Sequence, residues 1–380
     1  MLVAGEPSGD ALGAPLMRAL RAASADPLEF TGIGGEEMTR EGLYSIIAMS
    51  DLSVMGLAEI LPRARQLLGH ISRAAQFASA SRPDVLVTID SPGFNFRLAR
   101  RLAGKGIPLV HYVAPSVWAW RPGRARKIAP LFDHLLAILP FEPPYFERHG
   151  LPCTFVGHSV TEQAVAGDSG ARFRSNHGIA GDVRLVAVLP GSRRTETDRL
   201  LPPFGEAVSR LARRNPTLRI VVPTVPGVDD QVRTAAKRWA GEPVIVADAE
   251  DRAAAFAASD VALAASGTVT LELALAGVPM VVAYRMNPLT SAIVRAQAKI
   301  NYPSIINVIL DRPAIPELLQ GACKPAGLAR EVMKLLTDAD ARARQVEDTR
   351  KAMAQLGVGG KRPSERAADV ILAVMREAAS

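Results

Sequence analysis

The chain has 380 residues, 48% of them apolar and 22% charged, which is too long for one ordinary core and predicts two domains of roughly 150 to 200 residues. No apolar run reaches the roughly 18 residues of a spanning helix, no signal peptide is expected, and Cys153 and Cys323 form neither a disulfide framework nor a metal-ligand spacing. The net charge of +7 favours an anionic partner, a phosphorylated metabolite or an acidic membrane surface, whereas arginine clusters without interleaved aromatics rank nucleic acid last.

Leu2-Val3-Ala4 reads as a strand, Gly5-Glu6-Pro7-Ser8-Gly9-Asp10 as a glycine-hinged turn, and Leu12 to Leu20 as the apolar stripe of a helix. Backbone amides at such a turn face a ligand and glycine admits its close approach, so Gly5, Glu6, Ser8, Gly9 and Asp10 are site candidates. The spacing is not the three-glycine dinucleotide fingerprint. Asp51 to Pro62 is dense in large apolar residues and runs into Arg63 and Arg65. Val54, Met55, Leu57, Ile60 and Leu61 therefore form either the inner face of a helix or an exposed patch that receives acyl chains and touches membrane.

Asp84 to Ile89 is a continuous apolar strand ending at Asp90, and Ser91-Pro92-Gly93 stops it before a helix near Asn95 to Ala103, with Asn95 as a cap. Asp90 is either a turn carboxylate or a general base. The strand Leu109 to Val113 leads into a segment that gathers Ser116, Trp118, Trp120 and Arg121 beside Arg124 and Arg126. This segment suits a sugar ring and a phosphate, or it is aromatic packing beneath a loop. Leu135 to Leu139 is the next strand.

After a polar stretch from Ala166 to Asp182 the rhythm restarts with strands at Val183 to Leu189, Leu218 to Val222, Val244 to Val246, Asp260 to Leu263 and Val278 to Val282. Strands apolar on both faces and separated by helices predict an α/β fold of two Rossmann-like, doubly wound parallel-sheet domains facing a cleft. The expected division is 1–165, 166–360, and a helix in 361–380 returning to the first lobe. Two strand exits in the second lobe suit a diphosphate. Gly191, Ser192 and Arg193 follow one strand, and Ser266, Gly267 and Thr268 follow another, with Glu272 either completing a cap or accepting from a ribose diol. The six histidines show no ligand spacing, so no metal site is expected.

Together Gly5-Glu6-x-Ser8-Gly9-Asp10, Val54-Met55-Gly56, Ile89-Asp90-x-Pro92-x-Phe94-Asn95, His111 to Trp120, Leu139-Pro140-Phe141-Glu142, Phe155-Val156-Gly157-His158, Leu189 to Arg193 and Ala265-Ser266-Gly267-Thr268 closely resemble the lipid-A-disaccharide synthase family. The match continues to Glu317-Leu318-Leu319-Gln320 and spans nearly the whole chain in order. The resemblance implies an inverting GT-B glycosyltransferase that joins UDP-2,3-diacylglucosamine to 2,3-diacylglucosamine 1-phosphate (lipid X), releasing UDP and forming a β-1,6 linkage. Asp90 and Arg193 match residues essential in the family. Further implications are a cytoplasmic protein peripheral to the inner membrane, no divalent metal or other cofactor, and compatibility with a homodimer. UDP then belongs to the second lobe, and the Gly5 to Asp10 turn to the acceptor side. The alternatives are another GT-B enzyme of UDP-sugars, either a lipid-linked glucosaminyltransferase or a UDP-sugar 2-epimerase. Gly93 stands where relatives can carry a second acid, leaving Asp90 alone in its turn. The short leading strand predicts a few further residues upstream of Met1.

Overall fold

A computed structural model describes all residues except 53–56, 121, 163–166, 288–290, 292–300 and 380, and of residues 50, 57–64 and 379 it describes the backbone only. Short strands, buried on both faces in the sheet centres and partly exposed at the edge strands, alternate with helices, and the strand pairs are parallel. Sheet one contains β1 (Leu2–Ala4), β2 (Thr31–Ile33), β3 (Tyr44–Ser45), β4 (Leu86–Ile89), β5 (Leu109–Tyr112), β6 (His134–Ala137) and β7 (Cys153–Phe155), in the order β3-β2-β1-β4-β5-β6-β7. Sheet two contains β8 (Leu185–Leu189), β9 (Arg219–Pro223), β10 (Val244–Val246), β11 (Val261–Ala265), β12 (Met280–Tyr284) and β13 (Glu317–Leu319), in the order β10-β9-β8-β11-β12-β13. Register is set by side chains buried on both faces: Val3 lies beside Thr88, and Thr88 beside His111.

The chain divides into two compact units, Met1–Glu162 with Leu356–Ser380, and Gln163–Gln355. Unit one has apolar clusters that draw on Leu86, Phe96 and Leu135 in one case and on Leu2, Met17 and Tyr112 in the other. The second cluster also takes Ala367, Ala368 and Ile371 from the helix Pro363–Ala379, which packs on the opening helix Pro7–Ala23. Glu162 accepts from the Ser364 backbone N–H at 2.6 Å and its hydroxyl at 3.0 Å, a negative charge at the positive end of that helix. Unit two has its own core around Val188, Phe204, Leu263 and Val332.

The stretch from Ala166 to Asp182, read from sequence only as a polar interval before the strands restart, contains the helix Ser169–Asn176. Polar residues conceal it, because Arg174 turns inward to the Ala258 carbonyl and pairs with Asp260 at 2.9 Å. The helix after β4 also starts earlier than expected, at Pro92.

Candidate functional site

In an open parallel sheet the ligand crevice lies beyond the carboxyl ends of the strands where their order reverses. In sheet one that point falls between β1 and β4, whose exits are the Gly5 turn and Asp90. The two exits nearly touch, since a Cβ on Gly5 would lie 2.6 Å from Ser91 Oγ, so only glycine fits. Asp90 (φ 50°) and Ser91 (φ 44°) are both left-handed, as is the β-branched Val113 (φ 79°) at the neighbouring exit of β5. Ser8 Oγ donates to Asp90 Oδ2 at 3.1 Å. Asn95 is not the helix cap expected from sequence. It lies inside the helix Pro92–Leu102, fully buried, and its Nδ2 donates back to the carbonyls of Ile89 (3.1 Å) and Asp90 (2.7 Å).

The opening turn is built differently from its sequence reading. The amides of Gly9 and Asp10 both donate to the Glu6 carbonyl, which removes them from the donors a ligand could meet. Asp10 is buried, and its carboxylate accepts from the amides of Gly35 (2.7 Å), Glu37 (3.0 Å) and Met38 (3.0 Å). That carboxylate fixes the loop after β2 and the start of the helix Glu36–Arg40. Glu6 and Ser8 remain exposed at the turn.

Ser116 and Trp120 are exposed beyond β5, and Trp118 is half-buried. Trp118 Nε1 donates to Glu142 Oε1 at 3.0 Å, and the indole meets the Phe141 ring edge-on at 5.0 Å. Glu142, 1% exposed, also accepts from the amides of Ile138 (3.2 Å) and Leu139 (3.0 Å), so it joins the exits of β5 and β6. Burial pushes its carboxyl up to about 7, against the pull of its three N–H donors. Sequence reasoning quoted Glu142 within a motif but gave it no role; a lone acid beside Phe141 does not disclose that it is buried.

In unit two, the reversal falls between β8 and β11. A cavity of about 280 Å³ there is lined by all seven residues singled out for a nucleotide: Gly191, Ser192, Arg193, Ser266, Gly267, Thr268 and Glu272. Gly191 (φ 115°) allows the chain to turn out of β8. Arg193, with its side chain 78% exposed, reaches Glu196 at 3.4 Å, and Glu196 Oε2 also accepts from the Ser192 amide at 3.3 Å. A carboxylate thus already rests against the donors proposed for phosphate, a feature with no sequence signal beyond its position one turn into a helix. Thr268 makes no side-chain cap, and Glu272 lines the cavity and faces Arg252 at 3.8 Å. Arg252 and the buried Thr224 also line the cavity, and neither was singled out from sequence.

Arg121, Val54 and Met55 lie outside the described residues, as do the side chains of Leu57, Ile60 and Leu61, whose backbone begins the helix Leu57–Ser81. Among the described residues, no helix is long and apolar enough to cross a membrane, and no group of three or more His, Cys, Asp or Glu could hold a metal ion.

Two parallel sheets with flanking helices and a strand-exit pocket define a two-domain α/β protein of the GT-B type. Solved structures with this fold include a UDP-GlcNAc 2-epimerase from Neisseria meningitidis bound to UDP-GlcNAc (TM-score 0.64, 13% identity, 99% of each chain covered). Another is the spinosyn rhamnosyltransferase SpnG with spinosyn aglycone (TM-score 0.59, 14% identity, covering 97% of this chain and 99% of that one). The chain belongs to the lipid-A-disaccharide synthetase family, whose sequence profile matches residues 1–371. It is 51% identical to the lipid-A-disaccharide synthase of Rhodospirillum centenum over 376 residues, covering 98% of this chain and 94% of the relative. Identity to the lipid-A-disaccharide synthase of Paramagnetospirillum magneticum is 47% over 380 residues, covering 99% and 97%. It is a glycosyltransferase of lipid A biosynthesis.

Proposed function

We propose that the protein transfers 2,3-diacylglucosamine from UDP-2,3-diacylglucosamine to the 6-hydroxyl of 2,3-diacylglucosamine 1-phosphate, with inversion. The observation that carries this reading is the convergence of all seven nucleotide candidates on one cavity of unit two, while Asp90 occupies the order reversal of sheet one. Asp90 takes the proton of the acceptor hydroxyl as its oxygen bonds to the anomeric carbon and the bond to UDP breaks. Gly191, Ser192, Arg193 and the turn Ser266–Thr268 hold the diphosphate and stabilise its developing charge, and Glu272 accepts from the ribose diol. Ser116, Trp118 and Trp120 offer faces to the acceptor sugar. In this reading no metal or other cofactor takes part. The protein works at the cytoplasmic face of the inner membrane as a peripheral protein, since both substrates carry acyl chains and anionic groups and the chain is basic.

The test mixes purified protein with both diacyl substrates in buffer containing EDTA and follows UDP. Release that requires the acceptor, with a disaccharide product, is the expected result. UDP release independent of acceptor, epimerised UDP-sugar, or no turnover would overturn the reading.

A further inference from the structure

We infer that Asn95 is a positioning residue for the general base: its side-chain amide clamps the exit of β4 and holds Asp90 and Ser91 in the successive left-handed conformations that present the Asp90 carboxylate. The inference rests on the reading of Asp90 as base. Two successive positive φ angles are unfavourable for residues that carry a Cβ, so contacts nearby must offset them. The Asp90 amide donates to the Tyr112 carbonyl and the Ser91 carbonyl accepts from the first helical amides, and among the described residues the side-chain contacts to this backbone come from one group. Asn95 Nδ2 lies 3.1 Å from the Ile89 carbonyl, 2.7 Å from that of Asp90 and 3.5 Å from that of Val3 on β1. Only an N–H₂ can face three carbonyls, which fixes the orientation of the amide.

The other end of the same side chain shows what the position requires. Asn95 Oδ1 is buried without a hydrogen-bond partner. An apolar residue of similar volume would avoid the cost of that orphaned acceptor. Its donors are therefore what this site needs, and they meet the backbone of Asp90. Ser8 secures the other end of the same residue, donating to its carboxylate at 3.1 Å. Asp90 is thus held at the backbone by Asn95 and at the side chain by Ser8.

Asn95→Ala is expected to lower kcat roughly 10- to 100-fold, the scale of a small misplacement of a reacting group, while UDP affinity stays unchanged because UDP belongs to unit two. Adding Ser91→Gly should recover part of the loss, because glycine adopts the left-handed conformation without help. Wild-type kcat in Asn95→Ala, or a loss in a folded protein that Ser91→Gly leaves untouched, would overturn the role. If Asn95→Ala does not fold, Asn95→Ser, which keeps one donor, goes through the same comparison with the same two overturning results. Asp90→Asn is run in parallel. Near wild-type turnover there removes the base and this inference with it, whereas turnover lost in Asp90→Asn but kept in Asn95→Ala removes the positioning role alone.

Discussion

Burial of Glu142 makes the stability of unit one depend on pH near neutrality. Its folded-state carboxyl titrates at about 7 against an ordinary value of 4.5, so its contribution is fully present below about 4.5 and is lost as pH rises through 7. The loss amounts to about 3 kcal/mol at most. His111 and His158, buried and pushed down to about 3 and about 4, act in the opposite sense, losing stability as pH falls from 6.5 towards those values. Chemical denaturation of the wild type and of Glu142→Gln between pH 4.5 and 8 separates them: the difference between the two proteins should slope only through Glu142. Arg193 provides the second prediction at this scale. Its exposed guanidinium is tied only loosely, at 3.4 Å, to Glu196, so it is free to take a diphosphate. Arg193→Ala should weaken UDP binding roughly 10- to 100-fold, the loss of one charge-assisted contact, as read by titration calorimetry.

At the scale of elements, Asp10 does the work of a clamp between the opening helix and the helix Glu36–Arg40. Asp10→Asn keeps an acceptor for Gly35 and Met38 but turns an N–H₂ towards the Glu37 amide, and it should cost unit one about 1–3 kcal/mol in a denaturant melt. The sequence hid this use because an acid after Ser8-Gly9 looks the same whether it faces a ligand or the interior. It disclosed β1, β4 to β6 and β8 to β12 through continuous apolar runs, and the C-terminal helix through its stripe. It concealed β2, β3, β7 and β13, because these two- or three-residue strands include Thr31, Gly32, Ser45, Thr154 or Glu317 and so present no continuous apolar run, unlike the equally short β1 and β10. The pocket of unit two was legible because strand exits in a parallel sheet converge by topology, not by sequence proximity. Glu142 and Asn95 were not, since their importance lies in what they are buried against.

At the scale of the molecule, two separate cores predict two unfolding transitions. Ile371→Ala removes side-chain volume from the core of unit one, and it should lower that unit's transition by about 2–4 kcal/mol while leaving the other in place. With the proposed nucleotide cavity in unit two, UDP should raise only the other transition in a calorimetric scan.

The return of the last helix to unit one has a consequence for synthesis. Unit two is a continuous stretch of chain, whereas unit one needs residues 356–380, so synthesis supplies every residue of unit two before unit one has all of its own. The later half of the polypeptide is then the first to be completed. Until Ala367, Ala368 and Ile371 are in place, the apolar face formed by Leu16, Met17 and Leu20 waits uncovered, and a released chain truncated before Leu356 should yield a protease-resistant unit two beside a unit one that is readily cut.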